Sequence, residues 1–260
     1  MDFRLKGKRA LVLSSSRGLG KACAESLAAE GADVVMTARS GEQLKVAADA
    51  INARGCGRAH AVPGDLAKDV HAIHRAATDI LGGIDILIAN TGGPPAGTAL
   101  AVKPEQWMPQ FEAIVVPVYT IAGLVLPGMR ERGFGRIITI ASTSVLQPLP
   151  NLVLSNALRS SIVGWSKTLS AEVAKDGITV NMVLPGRIHT DRTGQLDAAN
   201  AKAQGKTIAE ITEAMLASIP AGRYGRVEEF ADVVCFLASE RASYVTGSMI
   251  RVDGGAVRHV

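Results

Sequence analysis

Arg9-Ala10-Leu11-Val12-Leu13-Ser14-Ser15-Ser16-Arg17-Gly18-Leu19-Gly20 passes from a short apolar run into a serine- and glycine-rich turn, and the residues beyond it read as a helix through Ala24, Leu27 and Ala28. An apolar run of this length suits a strand buried on both faces. A sharp turn from such a strand into a helix aims free backbone N–H groups at one point, where the helix dipole favours a phosphate. Gly18 and Gly20 let the backbone come close to a pyrophosphate and let helix and strand pack tightly; Ser14, Ser16, Arg17 and Leu19 complete the candidate cradle. Plain turn chemistry is the competing reading of the same residues.

The alternation continues along the chain. Asp33–Thr37, Ala59–Val62, Ile84–Ile88, Arg136–Ile140, Ile178–Val183 and Ser248–Val252 read as further strands. Helical stretches separate them, one opened by Ser40 and Gln43 as a capping box, one running from Pro104 to Arg132, and one from about Leu152 to Lys175 with Leu154, Leu158, Ile162, Trp165 and Leu169 at helical spacing. This pattern predicts a single α/β domain over residues 1–260, a doubly wound parallel sheet of about seven strands with helices on both faces. The polar, alanine-rich stretch at about 187–206 reads as a variable, mobile loop beside the substrate.

Composition narrows the function. The chain is 47% hydrophobic but only 4% aromatic and holds 27 glycines, which suits closely packed helices on buried strands. The net charge of +4 comes from Lys and Arg spread among Asp and Glu, which argues against a nucleic-acid partner. Cys23, Cys56 and Cys235 show no metal or disulfide spacing, so no metal is expected and a reducing cytoplasm is the expected compartment. The N-terminus lacks an apolar signal core. Ala113–Met129 has no charge, yet it is short for a bilayer and contains Pro117 and Pro127; a buried helix at a subunit interface is expected, not a membrane span. Arg130, Arg132 and Arg136 read as solvated charges at a helix end, with attraction of an acidic carrier protein as the other reading.

Arg39 ends the second strand, where the adenosine ribose of a dinucleotide would lie. An acid there would bind the ribose 2′-hydroxyl, whereas Arg suits a 2′-phosphate, with Arg17 as a second positive charge. NADP(H) is therefore the expected cofactor and NAD(H) the alternative. At this point the chain resembles the short-chain dehydrogenase/reductase family, in particular its 3-oxoacyl-acyl-carrier-protein reductases. The family's glycine motif matches at Gly18 and Gly20, with Leu13 and Ser14 in place of its Thr and first Gly. Its adenine-contacting Asp matches Asp65, followed by Leu66. Its N-N-A-G motif appears as Ala89-Asn90-Thr91-Gly92, its P-G-x-I-x-T motif is intact as Pro185-Gly186-Arg187-Ile188-His189-Thr190, and its V-D-G-G as Val252-Asp253-Gly254-Gly255.

The resemblance implies a carbonyl–alcohol oxidoreductase in which a Tyr phenol donates the proton, a Lys one helical turn on lowers its pKa and holds the ribose, a Ser polarises the carbonyl, and an Asn supports a relay water. Ser142 keeps the Ser. Ser155 stands at the Tyr position, Arg159 at the Lys, and Ile114 at the Asn. Ser155 and Arg159 share a helix face at this spacing. Serine is a far weaker acid than a phenol and reaches less far; Arg159 is able to donate to ribose hydroxyls but does not readily lose a proton. His189, Tyr119, Asn151 and Asn156 are the other polar groups near the site, with an exposed loop histidine, a packed aromatic and a helix cap as the bland readings of the first three. Two functions compete: an NADP(H)-dependent reductase of a small carbonyl or alcohol substrate with a rearranged proton-transfer site, or a cofactor-binding pseudoenzyme. Relatives imply a homodimer or homotetramer.

Overall fold

A computed structural model describes residues 2–259. Seven parallel strands form one sheet in the order β3-β2-β1-β4-β5-β6-β7: β1 Arg9–Val12, β2 Asp33–Ala38, β3 Arg58–Pro63, β4 Ile86–Ala89, β5 Gly135–Ile140, β6 Ile178–Pro185 and β7 Met249–Val252. The chain order reverses between β1 and β4, and at such a point neighbouring crossovers leave on opposite sides and open a crevice at the carboxyl ends of the strands. The register sets Val12 against both Met36 and Ile88, so the β1 and β4 turns emerge side by side.

Strand alternation divides the interior in two. Val12, Val34 and Ile86 face a core with Cys23 and Leu27 of α1 (Gly18–Ala29), Leu44 of α2 (Gly41–Asn52) and Phe230 and Val234 of α9 (Val227–Ala238). Leu11, Leu87 and Ile137 face the other, with Ile73 of α3 (Leu66–Leu81), Ile121 and Met129 of α5 (Val116–Arg132) and Ile162 of α6 (Val153–Val173). The central strands β1, β4, β5 and β6 are thus covered on both faces, whereas the edge strands β3 and β7 keep exposed residues such as Arg58 and Met249.

Three expectations change. The helical stretch from Pro104 is two helices, α4 (Trp107–Ile114) and α5, meeting at Val115, because Pro117 lies in the first turn of α5 and cannot donate into the α4 ladder. Residues 191–204, expected as a loop, form α7 (Asp191–Gln204): the Thr190 side chain accepts from the Thr193 N–H at its start, and left-handed Gly205 ends it. It is followed by α8 (Ile208–Ser218). Asn151 is not the cap of α6; it adopts φ +60, Leu152 is the cap residue, and the Asn151 carbonyl accepts from Gly97 N–H at 2.7 Å. The Pro104–Arg132 stretch is apolar and long enough to cross a membrane by composition alone, yet α5 lays Val118, Ile121, Ala122, Val125 and Met129 into the core.

Two of the three arginines near the α5 terminus, Arg132 and Arg136, are structural, whereas the Arg130 side chain is exposed. Arg130 pairs with Asp176 at 2.7 Å. Arg136 is buried, donating to the carbonyls of Ser239, Gly135 and Gly177. Arg132 donates to Asp85 Oδ1 at 2.9 Å, and Arg9 grips the same carboxylate through Nε at 2.8 Å, Nη2 at 2.7 Å and its own backbone N–H at 3.1 Å. Asp85 therefore ties the amino ends of β1 and β4 to the end of α5. Burial pushes its carboxyl up, but the hydrogen bonds and charge of Arg9, with the charge of Arg132, outweigh this and hold it below the usual carboxylate range. A carboxyl with a depressed folded-state pKa stabilises above its unfolded value and loses that contribution as the pH falls through the folded one. Asp85→Asn is expected to cost about 3 kcal/mol in denaturant unfolding at neutral pH, with the gap to wild type closing in acid.

Candidate active site

The turn after β1 is held by its own backbone. Ser15 is buried: its hydroxyl donates to the Val12 carbonyl at 2.8 Å and accepts from Thr37 N–H at 3.1 Å, tying the β1 exit to β2. Ser14 takes φ +48, a left-handed conformation that suits glycine and costs a serine about 1 kcal/mol. This explains why the resembling family carries Gly there. The Ser14 carbonyl accepts from Asn90 Nδ2 at 3.1 Å, which locks the β1 turn to the end of β4. A Cβ at Gly20 would stand 2.4 Å from the Ser14 oxygen and 2.8 Å from Asn90 Nδ2, so only glycine fits. Gly18 opens α1 at φ +56, after Arg17 in extended backbone. The turn therefore presents the start of a helix to the crevice, the geometry a pyrophosphate requires.

Other sequence-selected residues gather around it. Arg39 lies exposed just past β2 and forms no ion pair among the described residues. Arg17, by contrast, pairs across the crevice with Asp191 at 3.6 Å. Asp65 caps α3, accepting from Ala67 N–H at 3.1 Å, with Leu66 the first helical residue. Gly92 follows β4, with open space where a side chain would be. At the end of β6, Gly186 packs so closely on Asp253 that a Cβ would lie 2.7 Å from its Cα, which joins the Pro185-Gly186 and Val252-Asp253 motifs into one wall. Ile188 is buried and pairs with Gly225. Thr190 caps α7, and its methyl group would lie 3.7 Å from a Cβ on Gly18, so the two motifs face each other across the crevice.

The proton-transfer positions lie beside this wall. Ser142 caps a short 3₁₀ turn (Thr143–Val145) after β5; its oxygen accepts from Ser144 N–H at 3.1 Å, leaving its hydroxyl proton free to donate. Ser155, in the first turn of α6, is half-buried. Ile114 is buried in the core, and its aliphatic side chain offers a water no hydrogen bond. Arg159 donates to the Ile140 carbonyl at 3.1 Å, Gly92 at 3.1 Å and Thr91 at 3.4 Å, joining the exits of β4 and β5. These three bonds leave two of the group's five N–H donors. Burial, then the charge of Arg192, pushes the Arg159 pKa down to about 10, so the group stays positive at neutral pH.

The remaining polar candidates have other roles. Asn156 holds the main chain of Leu149, donating at 2.9 Å and accepting at 3.4 Å. Tyr119 donates to the Ser161 carbonyl at 3.1 Å and stacks with Trp165, ring centroids 4.7 Å apart. His189 is exposed, its backbone N–H bonded to Gly225. Sequence reasoning missed Arg192, in the first turn of α7, which donates to the Pro94 carbonyl at 2.8 Å beyond β4. A cavity of about 420 Å³ lined by Arg4, Arg136 and Arg241 opens instead at the amino end of β5, remote from these groups.

A switch-point crevice with a glycine turn on one side and a capped helix on the other is the architecture of the doubly wound α/β class, whose members bind ligands at that place. Residues 13–257 match the family model described as Enoyl-(Acyl carrier protein) reductase. The chain is 38% identical to the 3-oxoacyl-[acyl-carrier-protein] reductase FabG of Vibrio cholerae, covering 97% of this chain and 98% of the relative, and 37% identical to that of Escherichia coli, covering 98% of each. The solved L-sorbose reductase of Gluconobacter frateurii, complexed with NADPH and L-sorbose, superposes with a TM-score of 0.94 at 35% identity over 100% of both chains. YwfH, an NADPH-dependent reductase involved in bacilysin biosynthesis, does so with a TM-score of 0.92 at 30% identity, covering 97% of this chain and 100% of that one. The chain belongs to the short-chain dehydrogenase/reductase family and is an oxidoreductase.

Proposed function

We propose that the protein is an NADP(H)-dependent reductase of a small carbonyl compound, or dehydrogenase of the matching secondary alcohol, working without the usual phenol. The observation that carries this reading is the unpaired Arg39 at the β2 exit of a crevice whose glycine turn meets Thr190. Arg39 would hold the 2′-phosphate, and Arg17 would join it when released from Asp191; that pair is exposed and worth at most about 1 kcal/mol. Ser14, Ser16, Gly18, Leu19 and Gly20 would cradle the pyrophosphate, Asp65 and Leu66 the adenine, Asn90, Gly92 and Arg159 the nicotinamide ribose, and Pro185, Gly186, Ile188 and Thr190 the ring. NAD(H) would lack the charge that Arg39 matches.

Bound there, the nicotinamide would supply a hydride to the carbonyl carbon. Ser142 donates its free hydroxyl proton as a hydrogen bond to the carbonyl oxygen, and Arg159 lends positive potential to the alkoxide that develops. The proton that completes the alcohol comes from water through the Ser155 hydroxyl, leaving hydroxide in solvent. Loss of a strong general acid typically costs roughly 10²–10⁴-fold, so turnover is slow. Free thiols at Cys23, Cys56 and Cys235 accord with a cytoplasmic setting. The Tyr119–Trp165 face of α5 and α6 would pair with another copy in a dimer or tetramer.

One observation favours a pseudoenzyme as the second reading: Arg159 spends most of its donors on main-chain carbonyls. The double substitution Ser155→Tyr with Arg159→Lys separates the two in a steady-state NADPH oxidation assay. A working native site loses activity, whereas a pseudoenzyme goes from no detectable turnover to measurable turnover. For the cofactor, Arg39→Ala is expected to weaken NADPH about 10- to 100-fold by fluorescence titration and to shift preference toward NADH. A wild type that already prefers NADH would defeat the assignment.

A further inference from the structure

Two arginines converge on one segment of backbone beside the proposed hydride-transfer site. Arg159 reaches it from α6 and donates to Thr91 and Gly92; Arg192 reaches it from α7 and donates to Pro94. The absence of a side chain at Gly93 makes room: a Cβ there would lie 3.1 Å from Arg192 Nε and Nη2. The two groups are close enough for the charge of Arg192 to lower the Arg159 pKa, and burial lowers both. Arg192 is exposed and Arg159 buried, and like charges this close repel unless something neutralises them.

Neither arginine has a carboxylate partner among the described residues; every side-chain bond they form is to a main-chain carbonyl. Nearby acids of α7 are already engaged. Asp191 pairs with Arg17, and buried Asp197 pairs with Arg187 and accepts from the Tyr224 hydroxyl at 2.9 Å. Arg159 is 7% exposed, so a buried cation keeps two unused N–H donors and has no carboxylate partner among the described residues.

We propose that the substrate supplies that anion: Arg192, backed by the positive charge of Arg159, forms a receptor for a carboxylate carried by the carbonyl substrate, so that the protein reduces oxo acids in preference to neutral ketones. The proposal rests on the reductase reading above and deepens it. Charge-assisted bonds from guanidinium to carboxylate are short and well directed, and two cations at one site select against an uncharged ester of the same shape. Arg192 is on this account a specificity-determining residue, and the hydride and proton steps remain those of Ser142 and Ser155.

The test uses the full chain saturated with NADP+ and calorimetric titration of pyruvate, acetoacetate and benzoylformate, each against its methyl ester. The acid is expected to bind about 10- to 100-fold tighter than the ester. Arg192→Ala is expected to bring the acid-to-ester ratio to about one, and Arg192→Lys, which keeps the charge but loses the planar fork, to an intermediate value. Equal binding of acid and ester by wild type, or binding of neither, overturns the inference. So does an Arg192→Ala protein that keeps the wild-type ratio while its NADP+ affinity falls, because the pair would then serve the cofactor phosphates. A protein that binds neither NADPH nor NADH fails the proposed function itself and takes the inference with it. One that binds NADPH but treats acid and ester alike fails the inference alone.

Discussion

The approach of Gly20 to the carbonyl of Ser14 is the constraint on which the site depends. With 2.4 Å between that oxygen and any Cβ at residue 20, the first helix starts against the exit of its own strand. The same carbonyl takes the amide of Asn90, so the β1 and β4 exits hold a fixed separation. Strain at Ser14 is tolerated because Ser15, buried and bonded to Val12 and Thr37, anchors the turn from the next residue. A crevice built in this way is set by backbone together with the Asn90 amide and the Ser15 hydroxyl, which leaves the other side chains around it free to vary without loss of the cradle.

That separation between cradle and chemistry accounts for the unusual residues of α6. In the relatives that this chain resembles, a Lys at the position of Arg159 serves the ligand and the neighbouring phenol. Here the guanidinium closes a main-chain gap instead, collecting carbonyls from β4 and β5 that a single ammonium would hold with less directed geometry. Ser155 is smaller than the phenol it stands in for and does not reach as far. On the function proposed above, the site keeps its positive potential while losing its acid, a balance that favours substrates and transition states bearing negative charge.

Most of the fold was legible because buried parallel strands announce themselves as apolar runs, and Gly18, Gly20, Gly92 and Gly186 mark places where backbones meet or ligands approach. The motifs located the crevice for the same reason. What sequence reading lost has physical causes. Helix α7 carries almost no apolar stripe, since its buried residues are Asp197 and Ala201, and periodicity is blind to a helix held by a buried ion pair with Arg187. The break at Val115 was signalled by Pro117 but hidden within continuous apolar sequence. Arg132 and Arg136 looked like solvated charges because their partners, Asp85 and the carbonyls of Ser239 and Gly177, are distant in the chain. Arg192 had no motif to mark it, and only the packing of α7 against the β4 exit reveals it.

Deuterium transfer tests the central claim most directly. The protein is incubated with NADPH deuterated at the transferable nicotinamide position and a carbonyl substrate, and the alcohol is analysed by mass spectrometry. The account predicts one deuterium on the carbinol carbon and a product of a single hand, because the crevice presents one face of the ring. Tightly bound NADPH with no deuterium delivered to any carbonyl would contradict it.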